Sequence, residues 1–317
     1  TMGSSFPITP TPLISSLKIC SERKDIFTGM GMHAYVLKHG LLRNDDDDDV
    51  SIGNAIISMY VKCGALGKAC EMFETLPFSD VVTWNVMISG FTSHGYGDRA
   101  LSYFDQMQHE AFAPNSITFL SLLKACGSPL ACENAKRLHA QAYTVGDFEA
   151  GFSMALLDIY SKYGSMVDAQ YVFDAMPRKS LAAWNTFIAG NARIGQSDVV
   201  FLLFERMKYE GTRPNDITFL SLLTTCCHAG LLEKGQYYFK AMTKDYDDIV
   251  PSIQHYTCMI DLLGRAGLVD EAINMMKKMP FVPDFAVWST IIGACQKWGN
   301  VEIGSKAFEE VRKLEGL

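Results

Sequence analysis

The chain has no apolar run that approaches the roughly 18–20 residues a bilayer-spanning helix requires, which argues against an integral membrane protein. Its nine cysteines are odd in number, scattered, and contain no C-x-x-C pair, so neither a disulfide framework nor a cysteine-held zinc site is indicated. A reducing compartment suits such a set. None of the seven histidines (His33, His39, His94, His109, His139, His228 and His255) has a glutamate two places on. The H-x-E and P-C-x-x-C pattern that holds zinc and shuttles protons in nucleobase deaminases is therefore missing. Gly67-Lys68 lacks the remainder of a phosphate loop, and Gly29-Met30-Gly31-Met32-His33-Ala34, a loose dinucleotide fingerprint, has no strand before it. The expectation is a chain that is not an enzyme and carries no cofactor and no metal.

Charge is also sparse. Only 20% of the 317 residues are charged, and the net charge of -7 argues at first against nucleic-acid binding by bulk electrostatics. Five of those negative charges stand in the single run Asp45 to Asp49, expected to be a solvated loop, so the net value decides little. With 48% hydrophobic residues the chain has ample material for a core. The opening Thr1-Met2-Gly3-Ser4-Ser5 resembles a tag remnant, residues 1–9 are expected to be a tag or disordered N-terminus, and no secretory signal follows.

What is abundant is repetition. A shift of 100 residues superposes Trp84-Asn85 on Trp184-Asn185, Pro114-Asn115 on Pro214-Asn215, and Ile117 to Leu123 on the identical Ile217 to Leu223. Each block divides into repeats of 34, 31 and 35 residues, giving nine: 10–49, 50–80, 81–115, 116–149, 150–180, 181–215, 216–252, 253–284 and 285–317. The twentieth position is nearly always small (Ala69, Ala100, Ala169), and four places later stands a large residue (Phe73, Phe104, Phe173), so both lie on one helix face. Glycines at the fifteenth position (Gly64, Gly95, Gly164, Gly195, Gly230, Gly267, Gly299) mark the end of a first helix, where a left-handed residue closes the turn. Each repeat is thus expected to be a helical hairpin, for example Thr83 to His94 followed by Asp98 to Glu110. The fold class is all-α, a right-handed α-solenoid of about nine helix-turn-helix repeats, with first helices lining the natural binding face.

The fifth position carries Asn54, Asn85 and Asn185, polar side chains that either meet a ligand or cap a helix. The thirteenth carries Lys62, Lys162, Arg193, Arg265 and Lys297, a basic line suited to phosphates or to solvent. Cys20, Cys126, Cys226, Cys258 and Cys295 recur beside apolar neighbours as core residues, and His33 and His139 fall in the phenylalanine column.

These repeats resemble pentatricopeptide repeats, with lengths like those of the PLS subclass of plant organelles. P-like repeats carry V-V-T-W-N-V-M-I-S-G at Val81 to Gly90 and L-A-A-W-N-T-F-I-A-G at Leu181 to Gly190. L-like repeats carry L-L-K-A-C at Leu122 to Cys126, and S-like repeats carry M-Y-V-K-C-G at Met59 to Gly64. The stretch His255 to Gly267, then Met279-Pro280 and Val287-Trp288, resembles the final L-S pair and first E-type motif of organellar RNA editing factors. The resemblance implies a PLS-type array over 10–284 and a first E-type motif over 285–317.

It also implies a sequence-specific single-stranded RNA-binding protein that selects sites for C-to-U editing, with the deaminase, of DYW type, supplied in trans or by a further C-terminal region. In the family the fifth and last residues of a repeat read one base. Asn54 with Asp80 then implies uridine; Asn85 with Asn115, and Asn185 with Asn215, imply a pyrimidine, cytidine favoured; Thr257 with Asp284 implies guanosine. Ile14 with Asp49, Leu120 with Glu149, Met154 with Ser180, and Leu220 with Ser252 imply poor readers. The implied register, 5′ to 3′, is any-U-Y-any-any-Y-any-G. Second-position Val82, Ile117 and Ile217 are implied to sandwich bases, whereas Ser51 and Gly151 do not suit that role. Implied partners are single-stranded organellar RNA and multiple organellar RNA editing factor proteins, docking near Leu120 and Leu220, with no membrane. The implied address is a plant organelle, mitochondrion slightly ahead of chloroplast. Two alternatives stand: a protein-binding scaffold of tetratricopeptide type, whose consensus also has Trp early, Ala at twenty and Phe at twenty-four, and a factor for transcript splicing or stabilisation.

Overall fold

The computed structural model describes residues 10–42, 48–125, 131–145, 150–246 and 248–315. Among them are eighteen α-helices and no strand. They alternate as first and second helices of hairpins: α1 (Pro10–Arg23) and α2 (Ile26–Lys38), α3 (Asp48–Lys62) and α4 (Leu66–Thr75), α5 (Val81–Ser93) and α6 (Gly97–His109), α7 (Ser116–Ala125) and α8 (Ala131–Val145). There follow α9 (Ala150–Lys162) and α10 (Met166–Ala175), α11 (Leu181–Arg193) and α12 (Ser197–Tyr209), α13 (Asp216–Ala229) and α14 (Leu232–Lys244), α15 (Ile253–Arg265) and α16 (Val269–Lys278), α17 (Phe285–Trp298) and α18 (Val301–Glu315). The chain forms two compact parts, one ending at Ile159 and the other beginning at Tyr160, within α9.

Stacking is the same inside each part. In the first, α1 packs on α3, α3 on α5 and α5 on α7; in the second, α11 packs on α13, α13 on α15 and α15 on α17. First helices thus form a layer of their own, and second helices pack behind them. That is the hairpin stacking of an α-solenoid, as the repeat pattern requires.

The turn glycines do what their spacing indicates. Gly95 sits at φ 80° and Gly195 at φ 78°, in the left-handed region where a Cβ is penalised, and each N–H returns to the end of the first helix. Helix ends lie one or two residues earlier than the expected Thr83 to His94 and Asp98 to Glu110. The cause at the first helix is the closing residue of the preceding repeat, which starts the helix from outside it, as described below. Asp48 and Asp49 are a correction: their backbone opens α3, at the helix end where acidic residues are favoured, while 45–47 lie outside the described residues.

The small-large columns form the joints between repeats. Ala69, Ala100, Ala169 and Ala272 are fully buried, and a Cβ on Gly235 would collide with the Leu262 side chain one repeat ahead. Five phenylalanines of the large column, Phe73, Phe104, Phe173, Phe204 and Phe239, each meet an aromatic at the fourth position of the next first helix. Phe73 lies edge-on to Trp84 with centroids 4.8 Å apart, Phe104 to Phe119 at 5.8 Å, Phe204 to Phe219 at 5.8 Å and Phe239 to Tyr256 at 5.3 Å. Phe308, in α18, is 56% exposed. Cys20, Cys226 and Cys295 are buried as expected; Cys258 is half-buried, and Cys126 lies outside the described residues. No described helix is long and apolar enough to cross a membrane.

Candidate nucleic-acid interface

At Asp80, Asn115, Ser180, Asn215, Ser252 and Asp284 the closing residue of a repeat is the N-cap of the next first helix. A helix start leaves backbone N–H groups without intrahelical partners, and a short polar side chain just outside it fills one. Asp80 accepts the Thr83 N–H at 2.7 Å, Asn115 that of Thr118 at 3.1 Å, Ser180 that of Ala183 at 3.2 Å, Asn215 that of Thr218 at 3.1 Å, and Asp284 that of Val287 at 3.0 Å. The fifth-position asparagines, by contrast, lie beyond the first turns of α3, α5 and α11, so they are not caps. The capping alternative belongs to their partners.

Fifth and closing residues are joined directly. Asn54 Nδ2 donates to Asp80 Oδ1 at 3.2 Å, Asn85 Nδ2 to Asn115 Oδ1 at 3.1 Å, and Asn185 Nδ2 to Asn215 Oδ1 at 2.9 Å. One Oδ1 of the closing residue therefore receives both its own cap bond and the fifth-position amide. The second polar atom is left over: Nδ2 of Asn115 and of Asn215, and Oδ2 of Asp80, make no hydrogen bond among the described residues. An Asn/Asn pair presents N–H donors, and an Asn/Asp pair presents a carboxylate acceptor. Burial alone would raise the Asp80 carboxyl, but hydrogen bonds from Thr83 and Asn54 outweigh it and hold the group below the ordinary carboxylate range.

The fifth-position amides project less freely than the sequence implied. Asn85 and Asn185 are each 7% exposed, with both amide atoms engaged, while Asn54, Asn115 and Asn215 are half-buried. The carbonyl of Asn54 is buried without a hydrogen-bond partner among the described residues. Thr257 and Asp284 are not hydrogen-bonded to each other; the Thr257 hydroxyl donates to the Ile253 carbonyl at 2.8 Å, which leaves its oxygen as an acceptor. Ile14, Leu120, Met154 and Leu220 are half-buried and offer no hydrogen bond, and the side chains of Asp49 and Glu149 lie outside the described residues.

Around these pairs stand apolar residues that ordinary core packing does not use. Val82 is 54% exposed, Ile117 58% and Ile217 51%, each at the second position beside a closing residue. Of the basic line, Lys62 is exposed and Lys162 lies 5.6 Å from the Tyr163 ring centroid. Arg193 donates to the Lys162 carbonyl at 3.2 Å and Lys297 to the Arg265 carbonyl at 3.1 Å, each one repeat back, which ties neighbouring first helices at their C-terminal ends. Arg265 is paired with Asp261 at 2.9 Å, so its charge is locally balanced. Asp261, Arg265, Ser289, Thr290 and Lys297 line an open cleft of about 490 Å³ between α15 and α17.

His255 has a structural part that its place in the sequence does not announce. It is 1% exposed, with Nδ1 3.1 Å from the Ser252 N–H and Nε2 2.9 Å from the Asp216 carbonyl, a pattern that fits the Nε2–H tautomer. The ring completes the cap of α15. His33 is half-buried and bonded through Nδ1 to the Tyr60 hydroxyl at 2.8 Å. Among the described residues no three His, Cys, Asp or Glu side chains come together as a metal site.

Comparison with known proteins agrees with this architecture. The model of the PPR repeat family matches residues 79–128 and 179–228, and PPR repeat models match 247–280, 54–78, 154–181, 217–246 and 286–315. A chloroplastic pentatricopeptide repeat-containing protein of Arabidopsis thaliana is 38% identical over 96% of this chain and 40% of its own length. A mitochondrial one from the same plant is 36% identical over 95% of this chain and 46% of its own length. The chain thus spans less than half of these relatives. Among solved structures, the pentatricopeptide repeat protein PPR10 from maize superposes with a TM-score of 0.69 at 19% identity, covering 95% of this chain and 44% of that one. PPR10 in complex with an 18-nucleotide psaJ RNA element matches with the same TM-score over 90% of this chain and 42% of that one.

Proposed function

The chain belongs to the pentatricopeptide repeat family, and from that membership we propose that its first-helix layer binds single-stranded RNA, one base to a repeat, through the fifth and closing residues. The observation that carries the reading is the recurring bond from a fifth-position asparagine to a closing Asp or Asn, at Asn54–Asp80, Asn85–Asn115 and Asn185–Asn215. An unstacked base needs a polar edge to meet and a face to lie on, and these repeats offer both.

The chemistry of each pair matches the implied base. The free Oδ2 of Asp80 accepts the N3–H of uridine. The N–H groups of Asn115 and Asn215 donate to N3 and O2 of cytidine. At the last reading pair, the Thr257 oxygen and the Asp284 carboxylate accept from N1–H and the amino group of guanosine. Val82, Ile117 and Ile217 supply apolar faces for bases, and Lys62 and Lys162, with no carboxylate partner among the described residues, supply charge for phosphates.

Within that RNA-binding role we assign the chain to site selection for C-to-U editing in a plant organelle. The His255 to Gly267 stretch with Met279-Pro280 and Val287-Trp288 supports that choice, because together they resemble the final L-S pair and the first E-type motif, taken to span 285–317. The chain itself supplies recognition and no deamination. The deaminase acts from another polypeptide or region, and editing-factor proteins dock near Leu120 and Leu220. Relatives bear both chloroplastic and mitochondrial names, so the organelle is either of the two.

Titration of RNAs carrying U-Y-any-any-Y-any-G at fixed salt, beside copies with the uridine or guanosine exchanged, tests the reading. Equal affinity for all would overturn it, as would an unchanged guanosine preference in the Thr257→Asn, Asp284→Ser chain. Sequencing organellar transcripts with and without the protein separates editing, seen as lost cytidine conversion, from splicing or stabilisation, seen as altered transcript forms or amounts.

A further inference from the structure

A threonine follows each asparagine-containing pair at the third position of the next repeat: Thr83 after Asn54 and Asp80, Thr118 after Asn85 and Asn115, Thr218 after Asn185 and Asn215. The other closing residues are followed there by Ile52, Phe152, Ala183, His255 and Val287. All three threonines are fully buried at 0% exposure, and a buried hydroxyl needs partners. Those partners are the reading pair itself. Thr118 Oγ1 lies 2.6 Å from Asn85 Oδ1 and 3.1 Å from Asn115 Oδ1, and it accepts the Asn115 N–H at 3.1 Å. Thr218 repeats this, at 2.6 Å from Asn185 Oδ1, 3.0 Å from Asn215 Oδ1 and 3.2 Å from the Asn215 N–H.

A hydroxyl has one proton, and the shorter distance directs it to the fifth-position carbonyl. That bond matters because an amide's two ends are nearly the same shape, so an unrestrained Asn/Asn pair interconverts between donor-presenting and acceptor-presenting arrangements. With Asn85 Oδ1 held by Thr118, its Nδ2 must face Asn115 Oδ1, and Nδ2 of Asn115 is the atom left over. The Asn54–Asp80 pair does not need this help. A carboxylate accepts whichever way it turns and orients the amide by itself; there the Thr83 hydroxyl donates to Asp80 Oδ1 at 2.7 Å and leaves Asn54 Oδ1 unpartnered.

We infer that Thr118 and Thr218 are positioning residues that lock the two Asn/Asn pairs as hydrogen-bond donors, and so set cytidine over uridine at those repeats without touching the base. The inference rests on the RNA-binding reading above. The test uses the full chain with Thr118→Val and Thr218→Val together, and again with Thr→Ser at both, against RNAs differing only by cytidine or uridine at the third and sixth register positions. The wild type is expected to prefer cytidine by roughly tenfold, about one hydrogen bond's worth of discrimination. In the valine chain that ratio falls to within about twofold, and serine, which keeps the hydroxyl, restores it. In the RNA-free valine chain the side-chain amide protons of Asn85 and Asn185 exchange faster with solvent.

A folded valine chain with the wild-type ratio overturns the inference, and so do unchanged amide exchange rates or failure of serine to restore the ratio. A wild type indifferent to the base at every register position overturns the RNA reading itself, and the inference with it. If the valine chain loses its cooperative unfolding transition, the chain with Thr118→Cys and Thr218→Cys, whose thiols are weak donors of similar size, is scored by the same two measurements.

Discussion

The Phe173 ring meets that of Trp184 edge to face, with centroids 4.7 Å apart and an interplanar angle of 76°, and both side chains are fully buried. The two residues come from successive hairpins, so the contact is a joint and not part of either hairpin's own core. Phe173→Ala should cost about 3–5 kcal/mol, the usual range for emptying a buried aromatic site. The Trp184 indole N–H is buried without an acceptor among the described residues, so Trp184→Phe should cost far less than Trp184→Ala. Urea unfolding of the three variants checks both statements.

Exchanging the closing residue should exchange the base. Asn115→Asp replaces a leftover donor with a leftover acceptor while keeping the oxygen that caps α7, so stability should change by less than about 1 kcal/mol. The preference at the third register position should move from cytidine to uridine. Asn115→Ala should instead lose both the cap, about 1 kcal/mol, and the selectivity. Thermal melts and RNA titrations read the two effects separately.

Gly235 faces the Leu262 side chain where a Cβ would collide. Gly235→Ala should destabilise by about 1–3 kcal/mol, as overpacked cores do, despite alanine's better helix propensity. Leu262→Ala in the same chain should recover part of that loss, which a double-mutant comparison of unfolding free energies would reveal.

Asp80 carries a pH dependence of known sign. Its folded-state carboxyl is held below the ordinary range, so it stabilises the chain at pH values above the unfolded group's own titration, near 3.9, and that contribution is lost as pH falls through the lower folded value. Melting temperatures taken from pH 7 down to pH 3 should fall less steeply for Asp80→Asn than for the wild type at the acid end.

Lys62 and Lys162 should govern salt dependence. If they contact phosphates, Lys62→Ala with Lys162→Ala should lower the slope of log affinity against log salt by about 0.7 per residue for a single strand, with base preference intact. Arg193→Ala should act mainly on stability, because Arg193 is tied to the Lys162 carbonyl.

Much of this was legible in the sequence because it is local or strictly periodic. Gly95 and Gly195 announced the turns, and the Ala100–Phe104 spacing announced a packing face. The closing-residue caps carried a signal too, in the Asp80 to Thr83, Asn115 to Thr118 and Asn215 to Thr218 spacing of a capping box. What the sequence did not show is which side chains meet across repeats. Asn85 and Asn115 are 30 residues apart, and the bond between them depends on how one hairpin is seated on the next. The same holds for the burial of Asn85 and for His255, whose ring spans from Ser252 to the backbone of Asp216.

The double duty of the closing residue narrows what a change of target can look like. Because Oδ1 of Asn115 or Asp80 starts a helix as well as orienting its neighbour, only side chains able to begin a helix are tolerated there without loss of stability. The vocabulary for altering the base read by a repeat is therefore a handful of small polar residues, and any wider diversification has to come from the fifth position.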